Sequence, residues 1–313
     1  MDRLFDLRAG DVLSYSAGST QTGPEGFRKL VPKRRTMLEA AAARWPDLLD
    51  VLGQRPVIFL NTYPATIGTF TPGITVDTYL SPRVFSRALQ LGHVGDHPVI
   101  LLGQPLFVAD VLLQHIAGGW PWPKTLMLWT GGYVMPRSLE RALRAWLEPL
   151  VETFVIVQYF GAAEVDAGCL MARERTDQGG LIFHPREDIE VDVEGENLLL
   201  TLRAHDGGTI IERFATGDLA QRHGDGWVIR NPRRLHPSVE ALMESWSEAN
   251  WRRRTGYVRR QASLGGDVAG KETEETIWVQ LREGHETKHA LEVEHWDFGR
   301  RFGFSWLAKP NWR

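Results

Sequence analysis

The sequence predicts an α/β protein: a mostly parallel sheet with helices, then an antiparallel β region, then a small α+β C-terminal subdomain. Three observations carry this reading. Between residues 34 and 168, short apolar runs alternate with longer stretches of helical composition. After Gly180 the texture changes to alternating residues and tight turns. Around Pro232 a breaker interrupts the pattern, and a mixed helix, loop and strand texture follows.

The elements follow in order. Residues 34–45 (RRTMLEAAAARW) are rich in Ala, Leu and Glu and read as a helix. Residues 56–60 are a short apolar run ending at Asn61, and residues 98–103 repeat that character; both read as buried strands. A helix over 106–116 follows. Residues 125–129 form the next strand, and Gly131-Gly132 turns the chain. Residues 136–150 read as a helix with Pro136 in its first turn, where a missing N–H costs nothing. The strand at 154–159 completes a strand–turn–helix alternation, which implies parallel pairing through about Gly168. Residues 189–193 alternate, Glu194 to Asn197 turn, and 198–202 run on, the pattern of a hairpin. Further strands are expected through Ile229. The breaker divides the chain into 1–232 and 233–313. The second part reads as helix, loop, a strand at 276–281, a polar stretch and an aromatic tail.

Composition narrows the function. The chain has 313 residues, with 36 Lys+Arg against 39 Asp+Glu, a formal net charge of -3. That balance excludes a generic basic nucleic-acid binder, which needs a clustered cationic surplus. The hydrophobic share of 43% suffices for a sizeable core. No run approaches the roughly 18–20 apolar residues of a membrane span. The first residues, MDRLFDLRAGD, carry charges where a signal peptide has its apolar region. A single cysteine, Cys169, permits no intrachain disulfide. A cytoplasmic protein with neither membrane nor nucleic-acid partner is expected.

Three constellations point to chemistry. The first is a small-residue loop, SYSAGSTQTGP over residues 14–24. Backbone N–H groups and hydroxyls in such a loop can surround phosphate oxygens; polar Gly-Ser-Thr segments also serve as plain loops. The second is QYFGAAE over 158–164, an acid after a strand and a Gly turn, at the edge where α/β sheets place ligands. Glu164 suits a divalent cation there, or a helix start favoured by the macrodipole. The third is Thr216-Gly217-Asp218, where Asp218 suits a ribose diol or an Asx-turn.

In this order the segments resemble the adenylate-forming superfamily of acyl-CoA synthetases, peptide-synthetase adenylation domains and luciferases. The nearest flavour is the phenylacetate-CoA ligase or acyl-protein synthetase branch. Ser16, Ala17, Gly18, Ser19 and Thr20 resemble the family's phosphate loop. Gly131-Gly132 resembles its adenine-side turn, and Phe160-Gly161-Ala162-Ala163-Glu164 its aromatic-Gly-x-Thr-Glu motif. Thr216-Gly217-Asp218 matches its Thr-Gly-Asp motif, Arg233 falls where it has a hinge Arg, and residues 235–242 resemble the opening of its C-terminal domain. The match covers about residues 11–245. The chain departs from the pattern as well. Gly23-Pro24-Glu25-Gly26 lacks the loop Lys, leaving Arg28 or Lys29 to serve. Ala163 replaces the Thr before Glu164, and Pro232 replaces the Gly before Arg233. The phosphate loop begins at residue 14, where family members carry a further subdomain before it.

The resemblance implies ATP-dependent activation of a small carboxylic acid as acyl-AMP, with transfer to CoA, a carrier protein or an amine. It implies ATP contacts from Ser16, Gly18, Ser19, Thr20, Gly131, Gly132, Phe160, Gly161, Ala163, Asp218 and Arg233. It implies Mg²⁺ on Glu164, a cation at Lys309, and an acyl pocket near Asn61, Tyr63 and Tyr133. The missing loop Lys leaves a second reading, a non-catalytic nucleotide-binding or adenylate-binding protein or a partner subunit built on this fold.

A rival string is His285-Glu286-Thr287-Lys288-His289, an H-E-x-x-H. On one helix His285 and His289 would share a face for zinc, with Glu286 as base, making a zinc hydrolase. His295 as third ligand would lie about 15 Å along a straight helix, and Glu292 stands where such peptidases have a turning Gly. Arg252-Arg253-Arg254 with Arg259-Arg260 read as a solvated basic face, or as a contact for an acidic carrier or a coenzyme phosphate. The aromatics between Trp296 and Trp312 read as a satellite core or part of a lid, and Cys169 as a small buried residue.

Overall fold

The computed structural model describes residues 13–15, 27–29, 37–53, 55–61, 73–77, 82–103, 105–162, 164–230, 241 and 243–252. Strands β1 (Leu13–Tyr15) and β2 (Phe27–Lys29) form a two-stranded antiparallel sheet. Helices α1 (Met37–Arg44) and α2 (Asp47–Leu52) lead to β3 (Ile58–Asn61) and β4 (Ile74–Asp77). Then follow α3 (Pro82–Val94), β5 (Val99–Gly103), α4 (Pro105–Ala117), β6 (Thr125–Thr130), α5 (Arg137–Leu147) and β7 (Thr153–Ala162). The remaining strands are β8 (Asp166–Arg175), β9 (Leu181–Pro185), β10 (Ile189–Glu194), β11 (Asn197–Arg203), β12 (Thr209–His223) and β13 (Gly226–Arg230).

Eleven strands join one mixed sheet, ordered β10-β11-β12-β13-β9-β8-β7-β6-β5-β3-β4. The pairings from β4 to β7 are parallel, and all others in this sheet are antiparallel. Parallel pairing therefore stops at β7, short of the expected Gly168. Ala162 pairs with Asp166 across a tight reversal. Three residues cannot carry a parallel crossover, which needs a dozen or more, so β8 must run back along β7. The hairpin of β10 and β11 has the expected register, with Glu194 opposite Asn197 and Gly195-Glu196 between them.

The parallel half is covered on both faces, as parallel sheets require. On one face, Leu126, Leu128 and Ile156 pack against Phe85 and Leu89 of α3, Leu112 of α4 and Leu143 and Trp146 of α5. On the other, Met127, Val155 and Val157 meet Ala41 of α1, Trp45 just after it and Leu48 of α2. α5 earns its place through a buried stripe of Ser138, Leu139, Ala142, Leu143, Trp146 and Leu147, spaced for one helical face. The antiparallel half has its own cluster, including Cys169, Leu170, Phe183, Leu198 and Leu200. Cys169 is fully buried, as a small core residue would be.

The expected division at 232 leads to a segment that folds back onto the first part. Residues 243–252 seat on the start of α5, and Met243, Trp246 and Trp251 join its cluster. The Glu244 carboxylate accepts from the N–H groups of Arg137 (2.5 Å) and Ser138 (3.0 Å). Those donors have no partner within the helix, so an acid there serves as its cap. Trp251 donates its indole N–H to Ser138 Oγ at 3.0 Å, and Ser138 donates to the Met243 carbonyl at 2.7 Å. The strand expected at 276–281 and the aromatic tail lie outside the described residues. Among the described residues no helix is long and apolar enough to cross a membrane.

Candidate functional site

The parallel strands β4, β3, β5, β6 and β7 all end on one edge of the sheet, where such sheets bind ligands. Two turns at this edge carry the motifs. The first follows β6. The Gly131 N–H donates to the Gly103 carbonyl at 3.1 Å. A Cβ on Gly131 would lie 2.4 Å from the Tyr159 ring, so only glycine allows this approach. Gly132 adopts a φ of 90°, which again favours glycine. The turn continues through buried Tyr133 and Met135 to Pro136. Met135 is held from both sides: its N–H donates to Gln158 Oε1 at 2.8 Å, and its carbonyl accepts from Arg175 at 2.9 Å. Arg175 is itself paired with Glu140 of α5 at 2.7 Å.

The second turn follows β7. Phe160 is buried, with its ring edge-on to Phe183 at 6.3 Å. Gly161 lies inside the strand and not in the expected turn; the chain reverses between Ala162 and Asp166, and the Val165 N–H donates to the Ala162 carbonyl at 2.8 Å. Glu164 sits half-buried in this reversal. It joins two antiparallel strands and begins no helix, so the macrodipole reading of this acid does not apply.

A buried ion cluster underlies the same turn. Arg186 is 1% exposed and reaches Asp166 at 2.8 Å and Asp188 at 2.5 Å. It also donates to the Gly168 carbonyl at 2.7 Å. Burial works against the guanidinium charge. The hydrogen bonds and charges of Asp188 and Asp166 outweigh that and hold its pKa well above the ordinary value. The two carboxylates share this one counter-charge, and the first residues of β8 are fixed just beyond Glu164.

Thr216-Gly217-Asp218 forms a bulge inside the long strand β12, where a plain turn is expected. Asn197 pairs with Leu219 and Leu199 with Ala215, so β12 spends four residues where β11 spends two. Gly217 takes a φ of 78°. The Thr216 hydroxyl accepts from the Asp218 N–H at 3.1 Å and donates to the Leu198 carbonyl at 3.3 Å. Asp218 is half-buried. In sheet order β8, β9 and β13 separate it from β7.

β1 and β2 flank the small-residue loop in sequence, with Tyr15 opposite Phe27. Ser16, Gly18, Ser19 and Thr20 lie outside the described residues, as do Tyr63, Ala163, Arg233, His285, His289 and Lys309. Asn61 is the last residue of β3, with Asp77 and Leu102 as its backbone partners. Among the described residues no group of three or more His, Cys, Asp or Glu is placed to hold a metal ion. A single carboxylate such as Glu164 still suits Mg²⁺, which takes most of its shell from phosphates and water.

Sequence reasoning passed over several residues at this edge. Thr130 ends β6 and Gln158 is its register partner inside β7; they are 0% and 2% exposed, and Thr130 Oγ1 and Gln158 Nε2 have no partner among the described residues. A Gln within the apolar run VIVQYF was the available signal for Gln158. Arg175 and Glu244 act through contacts 40 and 107 residues away in sequence, which no local pattern displays.

No family model matches the sequence, and no curated protein matches it. Among solved structures, the chain is similar to an acyl-CoA synthetase (AMP-forming)/AMP-acid ligase II-like protein from Dyadobacter fermentans. That likeness has 14% identity and a TM-score of 0.43, over 70% of this chain and 59% of that one. It is similar to an anthranilate CoA ligase in complex with anthranoyl-AMP, at 16% identity and a TM-score of 0.44, over 70% and 46% of the two chains. It is also similar to a long-chain-fatty-acid-CoA ligase from Archaeoglobus fulgidus, at 14% identity and a TM-score of 0.44, over 88% and 62%. The chain spans less than two thirds of the length of each of these proteins.

Proposed function

We propose that this chain activates a carboxylic acid with ATP, forming acyl-AMP and passing the acyl group to a thiol or amine. One observation carries the reading. Neighbouring strands β6 and β7 bring the Gly131-Gly132 turn and the end of the Phe160-to-Glu164 segment to the same edge of the sheet. They do so in the chain order, after the small-residue loop and before Thr216-Gly217-Asp218, that the resemblance requires.

An oxygen of the substrate carboxylate attacks the α-phosphorus of ATP. The new bond gives the mixed anhydride, the bond from α-phosphorus to the bridging oxygen breaks, and pyrophosphate leaves. In the second step the acceptor thiol or amine attacks the acyl carbon, loses its proton to solvent and releases AMP. Charge builds on the phosphate oxygens in the first step, so preorganised donors lower its barrier. We assign that task to the backbone and hydroxyl groups of Ser16, Gly18, Ser19 and Thr20. Gly131, Gly132, Phe160, Gly161 and Ala163 face the adenosine, and Asp218 accepts from the ribose hydroxyls. Glu164 holds Mg²⁺, which supplies Lewis-acid relief of the phosphate charge when bound. Arg233 makes a hinge contact, Lys309 supplies a cation, and Asn61, Tyr63 and Tyr133 line the acyl pocket. In this reading residues 1–232 form the core and 233–313 belong to a C-terminal subdomain, in a cytoplasmic protein.

A pyrophosphate-release screen over carboxylic acids, with ATP and Mg²⁺, tests the reading. Release is expected with at least one class of acid, and Glu164→Gln should lower it by about 100-fold, on the order of a lost charge-stabilising group. Silence across a broad panel with nucleotide binding retained would instead fit the non-catalytic alternative. Stoichiometric zinc in the purified protein would favour the His285–His289 reading.

A further inference from the structure

Two buried polar atoms stand side by side at the ligand edge without a partner among the described residues: Thr130 Oγ1 and Gln158 Nε2. Thr130 and Gln158 are register partners on parallel strands β6 and β7. Their side chains therefore leave the sheet on the same face, the one that buries Leu128 and Ile156. The orientation of the Gln158 amide is fixed. Its carbonyl accepts from the Met135 N–H at 2.8 Å, which turns the NH₂ group away from Met135, and that group can only donate. The Thr130 hydroxyl can donate as well. Thr130 directly precedes the Gly131-Gly132 turn, and Tyr133 and Met135 belong to the same buried cluster.

Unpaired buried donors destabilise a folded chain. A valine at 130 and an apolar residue at 158 would avoid that cost. The pair is explained if an oxygen seated over this face, spanning strands about 4.8 Å apart, accepts from both.

We infer that Thr130 and Gln158 form a specificity-determining polar floor of the acyl pocket, built for an acid whose acyl part carries a hydrogen-bond-accepting oxygen. The inference rests on the adenylation reading and names its substrate class: hydroxy- or oxo-substituted acids over their deoxy parents. A site built to bond such an oxygen discriminates against an analogue that lacks it.

Matched pairs of acids, differing only in that oxygen, are compared by ATP–pyrophosphate exchange in the full chain. The native protein should prefer the oxygen-bearing member. Thr130→Val keeps the shape and removes the hydroxyl. It should raise Tm by about 2 °C, because a buried unpaired group is gone, and lower the kcat/KM ratio between the two acids by about tenfold, as for one lost hydrogen bond. Gln158→Glu is the second variant. It keeps the acceptor for Met135, replaces the donor by an oxygen, and should lower the same ratio. A higher Tm with an unchanged ratio would overturn the inference, leaving the pair to an internal water. A native preference for the deoxy acid would overturn it too. Exchange with the acids but no effect of either variant on selectivity sinks the floor alone; no exchange with any acid sinks the adenylation reading and the floor with it.

Discussion

Strand β5 in the parallel half is buried at all five positions, whereas β10 at the antiparallel edge buries Ile189 and then alternates between exposed and half-buried residues. The parallel half has helices on both faces and two apolar clusters. Solvent reaches one face of the antiparallel edge, where Arg203 pairs with Glu190 and Arg213 with Asp192. Such exposed pairs add little stability, but charges along an edge discourage pairing with another chain. Closely packed parallel strands carry the Gly131-Gly132 turn and the reversal after β7, and the antiparallel half supplies guanidinium groups that fasten them. Arg175 extends from β8 to Met135, and Arg186 follows β9 and grips the start of β8.

That comparison can be broken at the seam first. Arg186→Met leaves Asp166 and Asp188 buried without their counter-charge and should cost about 4 kcal/mol, the usual range for breaking a buried pair. Urea denaturation measures it. A loss under about 1 kcal/mol would mean that the two halves do not depend on this cluster. A smaller difference separates the halves themselves. Leu101→Ala, at a fully buried position of β5, should cost about 3 kcal/mol. Val193→Ala, at a half-buried position of β10, should cost about 1 kcal/mol or less. Equal losses in the two denaturation curves would remove the contrast between a two-sided and a one-sided core.

Much of this frame was legible in the residues. The apolar runs at 56–60, 98–103 and 125–129 announce β3, β5 and β6, and the Glu194-to-Asn197 turn gives the register of β10 and β11. Helix α3 carried a readable signal too. Pro82 stands in its first turn, and Phe85, Ala88 and Leu89 recur at helical spacing. Strand β4 is four residues long, too short for a period to emerge. The reversal after β7 was not legible, and parallel pairing was expected through about Gly168; only once β7 and β8 have their bounds do the three residues between them forbid a parallel return. The site was legible as motifs but not as fastenings. Glycines and acids mark the turns locally, whereas Glu244 on α5, Arg175 on Met135 and Arg186 between two carboxylates join distant segments. Local propensity cannot encode such pairs. The bulge at Thr216-Gly217-Asp218 is likewise visible only once β11 supplies the register that β12 exceeds.

The most direct test of the central claim is a crystal structure of the full chain with AMP and Mg²⁺. Adenine is expected against the Gly131-Gly132 turn and Phe160, the ribose within hydrogen-bond reach of Asp218, and the phosphate over Ser16, Ser19 and Thr20. AMP bound away from the carboxyl edge of the parallel strands, with none of these groups in contact, would contradict that claim.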